Sequence, residues 1–240
     1  NVAGIARENR FLDLPYTTVG NNQYFGTGIR VLQSPGYPRN IQIERCSVRT
    51  AYLGMVLESP FETPLLPPGV FSVTRNTLES VIVGIQADGV PPALGPTPQY
   101  VIERCDRVSI TQNTVTGPQG WESAYTAIPL GVAGIRTIAS SNCTYSCNRI
   151  GRLPVAMQFN QGNFNTRLTR NVFQECEAGV ELNTDALIGE QTTLTTNGQK
   201  TSNFNVWNSV AIGLRAIETN GRLSNFTVNP NTNATVTGQP

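Results

Sequence analysis

Hydrophobic positions in this chain alternate with polar ones over short runs, and one such run recurs. Residues 74–87 read TRNTLESVIVGIQA, and residues 169–182 read TRNVFQECEAGVEL. Both stretches begin with Thr-Arg-Asn, place a bulky apolar residue two positions after the Asn, and reach Gly followed by an apolar residue eight positions after it. Alternation over short runs, without a helical period of 3.6 residues, predicts β-strands separated by turns.

The pattern aligns along the chain on an anchor position that is usually Asn. The anchors are Cys46, Asn76, Asn113, Asn148, Asn171 and Asn205. The apolar residues two positions later are Val48, Leu78, Val115, Ile150, Phe173 and Trp207. The small residues that follow, delayed by an insertion after Asn113, are Gly54, Gly84, Gly134, Ala156, Gly179 and Gly213. The apolar residues three positions before the anchor are Ile43, Val73, Ile110, Tyr145 and Leu168, and Ser202 breaks this column.

The spacing of the copies indicates a β-solenoid. Asn148 and Asn171 are 23 residues apart, which is room for three short strands and three turns. Such a unit, here called a rung, cannot bury its apolar side chains alone, so it stacks on similar rungs about 4.8 Å away. An Asn at an inward corner can bond backbone groups and tolerates left-handed backbone, and a Gly permits close backbone approach.

These motifs resemble the right-handed parallel β-helix of the pectate-lyase-like superfamily, in particular NosD-like and other secreted bacterial β-helix repeat proteins. The resemblance covers roughly residues 40–217. It implies an all-β, single-stranded right-handed parallel β-helix of about 7–9 rungs. Because this fold serves lyases, hydrolases, epimerases, phage tailspikes, adhesins and structural proteins, the resemblance predicts the fold more closely than the function.

The predicted organisation is a single domain over residues 1–240. Residues 1–39 form N-terminal rungs or a cap, 40–217 the core rungs, and 218–240 a partial rung and tail. Pro-rich or polar insertions are expected at residues 58–70, 88–99, 116–131 and 183–200. In a solenoid such insertions become loops on one face, often the binding face.

In the family, the strand that carries Gly-apolar-x-apolar lines the ligand cleft. Its outward position, ten after the anchor, holds Val56, Gln86, Arg136, Gln158, Glu181 and Arg215, and Arg30 fits if GTGIRVL is an earlier rung. We interpret these residues either as a solvated sheet face or as a polar groove for glycans. In the second case Gln86, Arg136, Gln158, Glu181 and Arg215 bind the ligand, and Trp121 or Tyr125 stacks on a sugar ring.

Hydroxyl pairs give another face with two interpretations. Ser72/Thr74, Ser109/Thr111 and Thr144/Ser146 fall on successive rungs. Such rows are similar to those of ice-binding solenoids, but Ser and Thr are also ordinary on exposed strands, and Glu44 and Arg167 interrupt the rows.

Catalytic chemistry has little support in the sequence. Histidine is absent, and the four Asp residues (Asp13, Asp88, Asp106 and Asp185) are scattered, whereas glycoside hydrolysis needs paired carboxylates. If the chain is an enzyme, the candidate is Glu181 flanked by Arg136 and Arg215. No metal site or cofactor is predicted.

Composition and charge narrow the partners. Only 14% of residues are charged and the net charge is +1, so neither nucleic-acid binding nor attraction to an anionic membrane is expected. No apolar run is long enough to span a bilayer. Cys143 and Cys147 could form a disulfide only if the chain turns between them. Asn142, Asn225 and Asn233 begin sequons for glycosylation, which stays an open alternative.

The first and last residues of the chain are compatible with self-association. NVAGI at the start is similar to VAGI at 132–135, so the chain is expected to begin in mid-rung, and GRLSNFTV at 221–228 is similar to a corner segment. Unfinished rungs favour head-to-tail pairing into filaments, although capped ends or a truncated chain explain the same observation. The predicted function is therefore a secreted, non-catalytic structural or adhesive protein at the cell surface. The alternative is a glycan-binding or glycan-cleaving protein, including a tailspike-like module.

Overall fold

The computed structural model describes residues 4–14, 17–19, 22–24, 27–32, 40–51, 53–59, 70–80, 83–89, 107–124, 132–194, 196–197, 200–217 and 236–238. These residues form β-strands and turns, together with one four-residue helix, α1 (Trp121–Ala124). The strands in chain order are β1 (Gly4–Arg7), β2 (Arg10–Leu14), β3 (Thr17–Val19), β4 (Asn22–Tyr24), β5 (Thr27–Leu32), β6 (Ile41–Glu44), β7 (Ser47–Ala51), β8 (Leu53–Ser59), β9 (Phe71–Thr74), β10 (Thr77–Glu79), β11 (Val83–Gly89), β12 (Val108–Thr111), β13 (Thr114–Thr116), β14 (Ala133–Ile138), β15 (Thr144–Ser146), β16 (Arg149–Gly162), β17 (Arg167–Thr169), β18 (Val172–Leu187), β19 (Thr192–Leu194), β20 (Lys200–Ser202), β21 (Val206–Ile217) and β22 (Val236–Gly238).

The strands pair in parallel across long sequence separations, so the predicted all-β, parallel class is confirmed. One sheet has the order β1-β6-β9-β12-β15-β17. A second sheet contains two stacks, β2-β7-β10-β13 and β5-β8-β11-β14, which both end on the long strand β16. Strands β18 and β21 then continue this sheet, and β22 pairs with β21. Each passage of the chain through these sheets forms one layer.

Two antiparallel hairpins lie outside these sheets, formed by β3 with β4 and by β19 with β20. The polar insertion predicted at residues 183–200 contains β19 and the start of β20, and its first residues extend β18. Strand β18 continues to Leu187, because Leu182, Ala186 and Ile188 are buried in the core. Most of the predicted insertions at 58–70 and 88–99, and residues 125–131, lie outside the described residues.

The strand register confirms the sequence alignment of the repeat. Val48, Leu78 and Val115 are directly paired in neighbouring strands, and Ile150, Phe173 and Trp207 continue the same column. The first five of these side chains are fully buried, and the Trp207 ring lies 4.6 Å from that of Phe173. The column therefore forms a continuous apolar line through the layers.

The anchor Asn residues form a buried ladder, but they do not adopt the left-handed backbone that their residue type suggested. The left-handed residue is instead the one before each anchor, for example Arg75 (φ 58°), Gln112 (φ 58°) and Arg170 (φ 55°). That residue makes the corner and points its side chain outward, which leaves the Asn amide inside. Asn76 and Asn113 are each 1% exposed and bond both to each other and to backbone carbonyls.

The expected equivalence between the first residues and VAGI at 132–135 is wrong. Gly4 pairs with Ile41 in the first sheet, whereas the neighbours of Gly134 pair with β11 and β16 in the second. The similarity misled because both segments are strands with the same apolar alternation. Asn9 instead occupies an anchor position, since its carbonyl accepts from the Ser47 N–H at 2.8 Å. Residues 221–228 lie outside the described part of the chain.

Cys143 and Cys147 do not form a disulfide: the Cys143 thiol is buried and donates to the Ser141 carbonyl at 3.2 Å, whereas Cys147 is exposed. Asn142 is exposed and its Oδ1 accepts from Asn165 at 2.8 Å, while Asn225 and Asn233 lie outside the described residues. The hydroxyl pairs do align, because Ser72, Ser109 and Thr144 occupy one register column.

Candidate functional site

The outward column of the second sheet brings four of the predicted site residues together. Arg136, Gln158, Glu181 and Arg215 occupy successive positions in β14, β16, β18 and β21. Backbone pairing places Gln86 before them and Arg30 opposite Val56 at an earlier layer. The side chain of Gln86, and Tyr125 as a whole, lie outside the described residues.

The four side chains are joined into a polar ladder by hydrogen bonds. Arg136 Nε donates to Gln158 Oε1 at 2.9 Å, and Gln158 Nε2 donates to Glu181 Oε1 at 2.8 Å. Arg215 Nε donates to Glu181 Oε2 at 2.7 Å. Because parallel strands repeat about every 4.8 Å, side chains of this length can reach the next layer but not the one beyond it. Gln158 therefore links Arg136 to Glu181.

Glu181 is an acceptor whose two carboxylate oxygens are both occupied. Oε1 accepts hydrogen bonds from Gln158 Nε2 and from Asn183 Nδ2, the latter at 2.7 Å, and Oε2 accepts one from Arg215 Nε. Gln158 and Glu181 are only 8% and 5% exposed. A carboxylate that is covered and held by donors on both oxygens is a structural ion-pair partner. It is poorly placed to accept a proton from a substrate.

Arg215 connects this ladder to a second carboxylate. Its Nη1 donates to Glu177 Oε1 at 2.8 Å, while its other nitrogens bind Glu181. Burial by itself would lower the pKa of Arg215, but the hydrogen bonds and the attraction of Glu177 and Glu181 outweigh burial and raise that pKa. The guanidinium is therefore held charged and fixed between the two glutamates.

Trp121 lies in a different place, beside an open groove of about 660 Å³ on the outer surface. The tryptophan begins helix α1, is partly buried and packs against the core. Three glutamates also line the groove, namely Glu122, Glu175 and Glu177. Glu122 and Glu175 are exposed. The groove thus combines an aromatic ring with several hydrogen-bond acceptors.

The polar ladder and the groove meet at Glu177. Glu177 lines the groove and accepts the hydrogen bond of Arg215, whereas Arg136, Gln158 and Glu181 do not line it. The predicted site residues are therefore divided between two adjoining features. Four form the covered ladder, and Trp121 belongs to the open groove.

A smaller cavity of about 310 Å³ is lined by Gly151. It adjoins the groove at Glu175, which lines both. Two arginines line this cavity, Arg149 and Arg152. Gly151 lies between Thr116 and Gln174 in the register of β13, β16 and β18. A Cβ at residue 151 would lie 2.6 Å from the Gln174 carbonyl oxygen, so the close approach of the next layer's backbone requires glycine at this wall of the cavity.

Sequence reasoning assigned no site to Arg149, Arg152, Glu175 or Glu177. The structure shows a second column of corner residues four positions after five of the six anchors. Thr50, Ser80, Arg152, Glu175 and Ser209 all have positive φ, between 51° and 56°. The residue types in this column differ from layer to layer, so the sequence carried no signal for it.

Comparison with protein-family models, with curated proteins and with solved structures gave no match for this chain. Its class is therefore defined by its structure as a parallel, all-β protein. Within the described part of the chain, no group of three or more His, Cys, Asp or Glu residues is arranged to hold a metal ion. The same residues include no helix that is long and apolar enough to cross a bilayer.

Proposed function

We propose that this chain is a right-handed parallel β-helix that acts outside the cell as a non-catalytic adhesive scaffold, and that it binds glycans in the groove beside Trp121. The repeating parallel register supports the β-helix, because a single chain that returns to the same sheets layer after layer traces a solenoid. Parallel crossover connections are almost always right-handed. The long, hydrogen-bonded Asn ladder supports a rigid scaffold.

The groove is the observation that carries the glycan-binding proposal. A sugar ring has an apolar face that packs on an aromatic ring, and hydroxyl groups around its edge that donate hydrogen bonds. Trp121 supplies the ring, and Glu122 and Glu177 supply acceptors in the same groove. Glu177 is held in position by Arg215, which reduces the entropy that a bound sugar would have to remove.

Glycan-array binding, followed by calorimetry with the best neutral oligosaccharide, tests this proposal. We expect Trp121→Ala to weaken binding about five- to tenfold, since an aromatic contact of this kind is worth about 1–1.5 kcal/mol. Phe164→Ala is the matched control, because Phe164 is an aromatic residue that is 55% exposed and does not line the groove. Equal binding by both variants, or no glycan bound at all, would contradict the proposal.

Glycan cleavage in the same groove is a second candidate, and the presence of Glu175 and Glu177 beside Trp121 favours it. Hydrolysis requires two carboxyl groups about 5–10 Å apart, and residues two apart on one strand are separated by about 7 Å. The test is release of reducing ends from the bound oligosaccharide. Release that disappears in Glu175→Gln, with binding retained, would replace the non-catalytic assignment by this one.

Self-association is a separate element of the proposal and has its own support. Ile5 and Leu12 are 61% and 56% exposed on β1 and β2, and Val206 is 39% exposed on β21. Strands β1 and β2 lie at the first described layer of the two sheets, and among the described residues β22 pairs with β21 over Leu214–Ala216 and does not reach Val206. Stacking of two copies would place a further layer against these side chains. Sedimentation that detects only monomers at high concentration would contradict head-to-tail assembly.

A further inference from the structure

We propose that the cavity at Gly151 is an anion subsite of the glycan groove, which receives one carboxylate or sulfate group of the bound oligosaccharide. This inference rests on the proposed glycan-binding function and adds the class of glycan. It follows from the two arginines that line this cavity of about 310 Å³, and from Glu175, which lines both the cavity and the Trp121 groove.

The arginines have donors that are free to bind a ligand. Arg149 Nη2 donates to Gln174 Oε1 at 2.9 Å, which orients the guanidinium and uses one of its five N–H groups. Within the described part of the chain, neither Arg149 nor Arg152 forms an ion pair with a carboxylate. A planar guanidinium binds carboxylate and sulfate oxygens with two parallel hydrogen bonds. The cavity therefore offers the donors that such a group requires.

The charges around the cavity limit the ligand to one anionic group there. Glu175 also lines the cavity and accepts from Gln174 Nε2 at 3.0 Å, so two positive charges are opposed by one negative charge. Beyond Glu175 the groove is lined by Glu122 and Glu177, which would repel a second anionic sugar. The site therefore fits a glycan in which charged and uncharged sugars alternate, with the charged sugar at Gly151 and the uncharged one on Trp121.

The distance from the cavity to the groove is consistent with a disaccharide that occupies both. Arg152 and Glu175 occupy equivalent corners of adjacent layers, with φ of 56° and 53°, and adjacent layers are about 4.8 Å apart. Glu175 and Glu177 are two residues apart on one strand, which adds about 7 Å. A sugar ring is about as long as one of these steps, so a disaccharide spans the cavity and the groove.

Calorimetry with three tetrasaccharide probes tests the subsite. The first probe is unsulfated chondroitin tetrasaccharide, in which uronate and uncharged sugars alternate. The second is its carboxyl-reduced form, which is uncharged. The third is carboxyl-reduced chondroitin sulfate tetrasaccharide, whose charges are all sulfates. We expect at least one of the charged probes to bind about tenfold more tightly than the unsulfated reduced probe. The preferred charged probe then identifies carboxylate or sulfate as the bound group.

The variants are Arg152→Asn and, as a matched control, Arg170→Asn. Both arginines are left-handed corner residues, with φ of 56° and 55°, and Asn tolerates that backbone. Only Arg152 lines the cavity. We expect Arg152→Asn to remove the preference for the charged probe and to leave binding of the unsulfated reduced probe unchanged, while Arg170→Asn leaves both unchanged.

Two results would overturn the subsite. One is tight binding of the unsulfated reduced probe that depends on Trp121 but shows no preference for charge; the glycan-binding function would then stand alone. The other is an equal loss in Arg152→Asn and Arg170→Asn, which would show that general positive charge attracts the probe. If none of the three probes binds and the glycan array is also blank, both the subsite and the function fail.

Discussion

Oδ1 of Asn171 accepts two hydrogen bonds from Asn148, one from its backbone N–H at 3.1 Å and one from its side-chain Nδ2 at 3.0 Å. The same geometry recurs between Asn113 and Asn148 and between Asn76 and Asn113. Each amide also donates to a carbonyl of a layer beneath it, as Asn148 does to Ile110 at 2.8 Å. One residue type thereby satisfies the buried polar groups at successive anchors from Asn76 to Asn171.

Replacement of Asn148 should therefore be costly. In Asn148→Ala, the backbone N–H of Asn113 and the carbonyl of Ile110 lose their side-chain partners inside the protein. A buried polar group left without a partner costs about 1–3 kcal/mol, so we expect the free energy of unfolding to fall by about 3 kcal/mol. Urea denaturation measures the change. Asn208→Ala, at an exposed position on β21, should change it by less than about 0.5 kcal/mol, and equal effects would contradict this account of the ladder.

The repeat was visible in the sequence because its columns depend on single residue types with strict physical demands. An inward corner needs Asn, a close approach needs Gly, and a shared core needs apolar residues in register, so Asn148, Gly84 and Phe173 could be aligned by inspection. The groove was not visible for the opposite reason. Trp121, Arg152 and Glu175 project outward, where no stacking demand restricts the residue type.

The polar ladder was predicted in part. Its members share one register position, so Arg136 and Glu181 could be assigned to the same column. Their partners could not be assigned, because reach decides them: Arg136 bonds to Gln158, and Arg215 bonds to both Glu181 and Glu177. The burial of Gln158 and Glu181 was equally hidden, since the alternation assigns both to the outward face and yet they are only 8% and 5% exposed.

Gly84 is needed for close packing between layers. A Cβ at this position would overlap the carbonyl oxygen of Gly134 and lie 2.5 Å from Cγ1 of Val115. Backbone on one side and a buried column on the other leave little room for relaxation. We expect Gly84→Ala to lower the free energy of unfolding by about 3 kcal/mol, measured by urea denaturation, or by loss of soluble protein if the variant does not fold.

Gly162→Ala is the control for that substitution. The added Cβ would meet only the ring of Phe164, 2.8 Å away, and that ring is 55% exposed and can move. Its expected cost is below about 1 kcal/mol. If the two variants were equally stable, layer spacing would not be what selects glycine at residue 84.

The pair of Glu181 and Arg215 should show strong energetic coupling. Arg215→Met leaves Glu181, which is 5% exposed, without the donor to Oε2. Breaking a buried pair typically costs about 3–5 kcal/mol, but the Arg215 side chain is 24% exposed, so we expect about 2 kcal/mol. The double variant Glu181→Gln/Arg215→Met should recover more than half of this loss, because no charge is then left buried.

An exposed pair provides the comparison for this cycle. Arg49 Nε lies 3.9 Å from Glu79 Oε2, and both side chains are more than half exposed. Arg49→Met should change the free energy of unfolding by less than about 0.5 kcal/mol. Additive effects at Glu181 and Arg215, like those expected at Arg49 and Glu79, would mean that the ladder is a weak surface feature.

Cys176 should make the protein less stable in alkali. Burial raises the pKa of its thiol from 9.0 to about 11, and backbone hydrogen bonds with Leu153 and Gln174 oppose this rise only in part. Because the unfolded chain loses the thiol proton at a lower pH than the folded chain, the contribution is fully present below pH 9 and is lost as the pH rises to about 11. A rise of this size corresponds to about 3 kcal/mol. Urea midpoints measured between pH 8 and pH 11 should therefore fall more steeply for the native chain than for Cys176→Ala. The control is Cys147→Ser, which changes an exposed thiol, and its midpoints should follow the native slope. Parallel slopes for the native chain and Cys176→Ala would show that the thiol is not shielded from water in the folded protein.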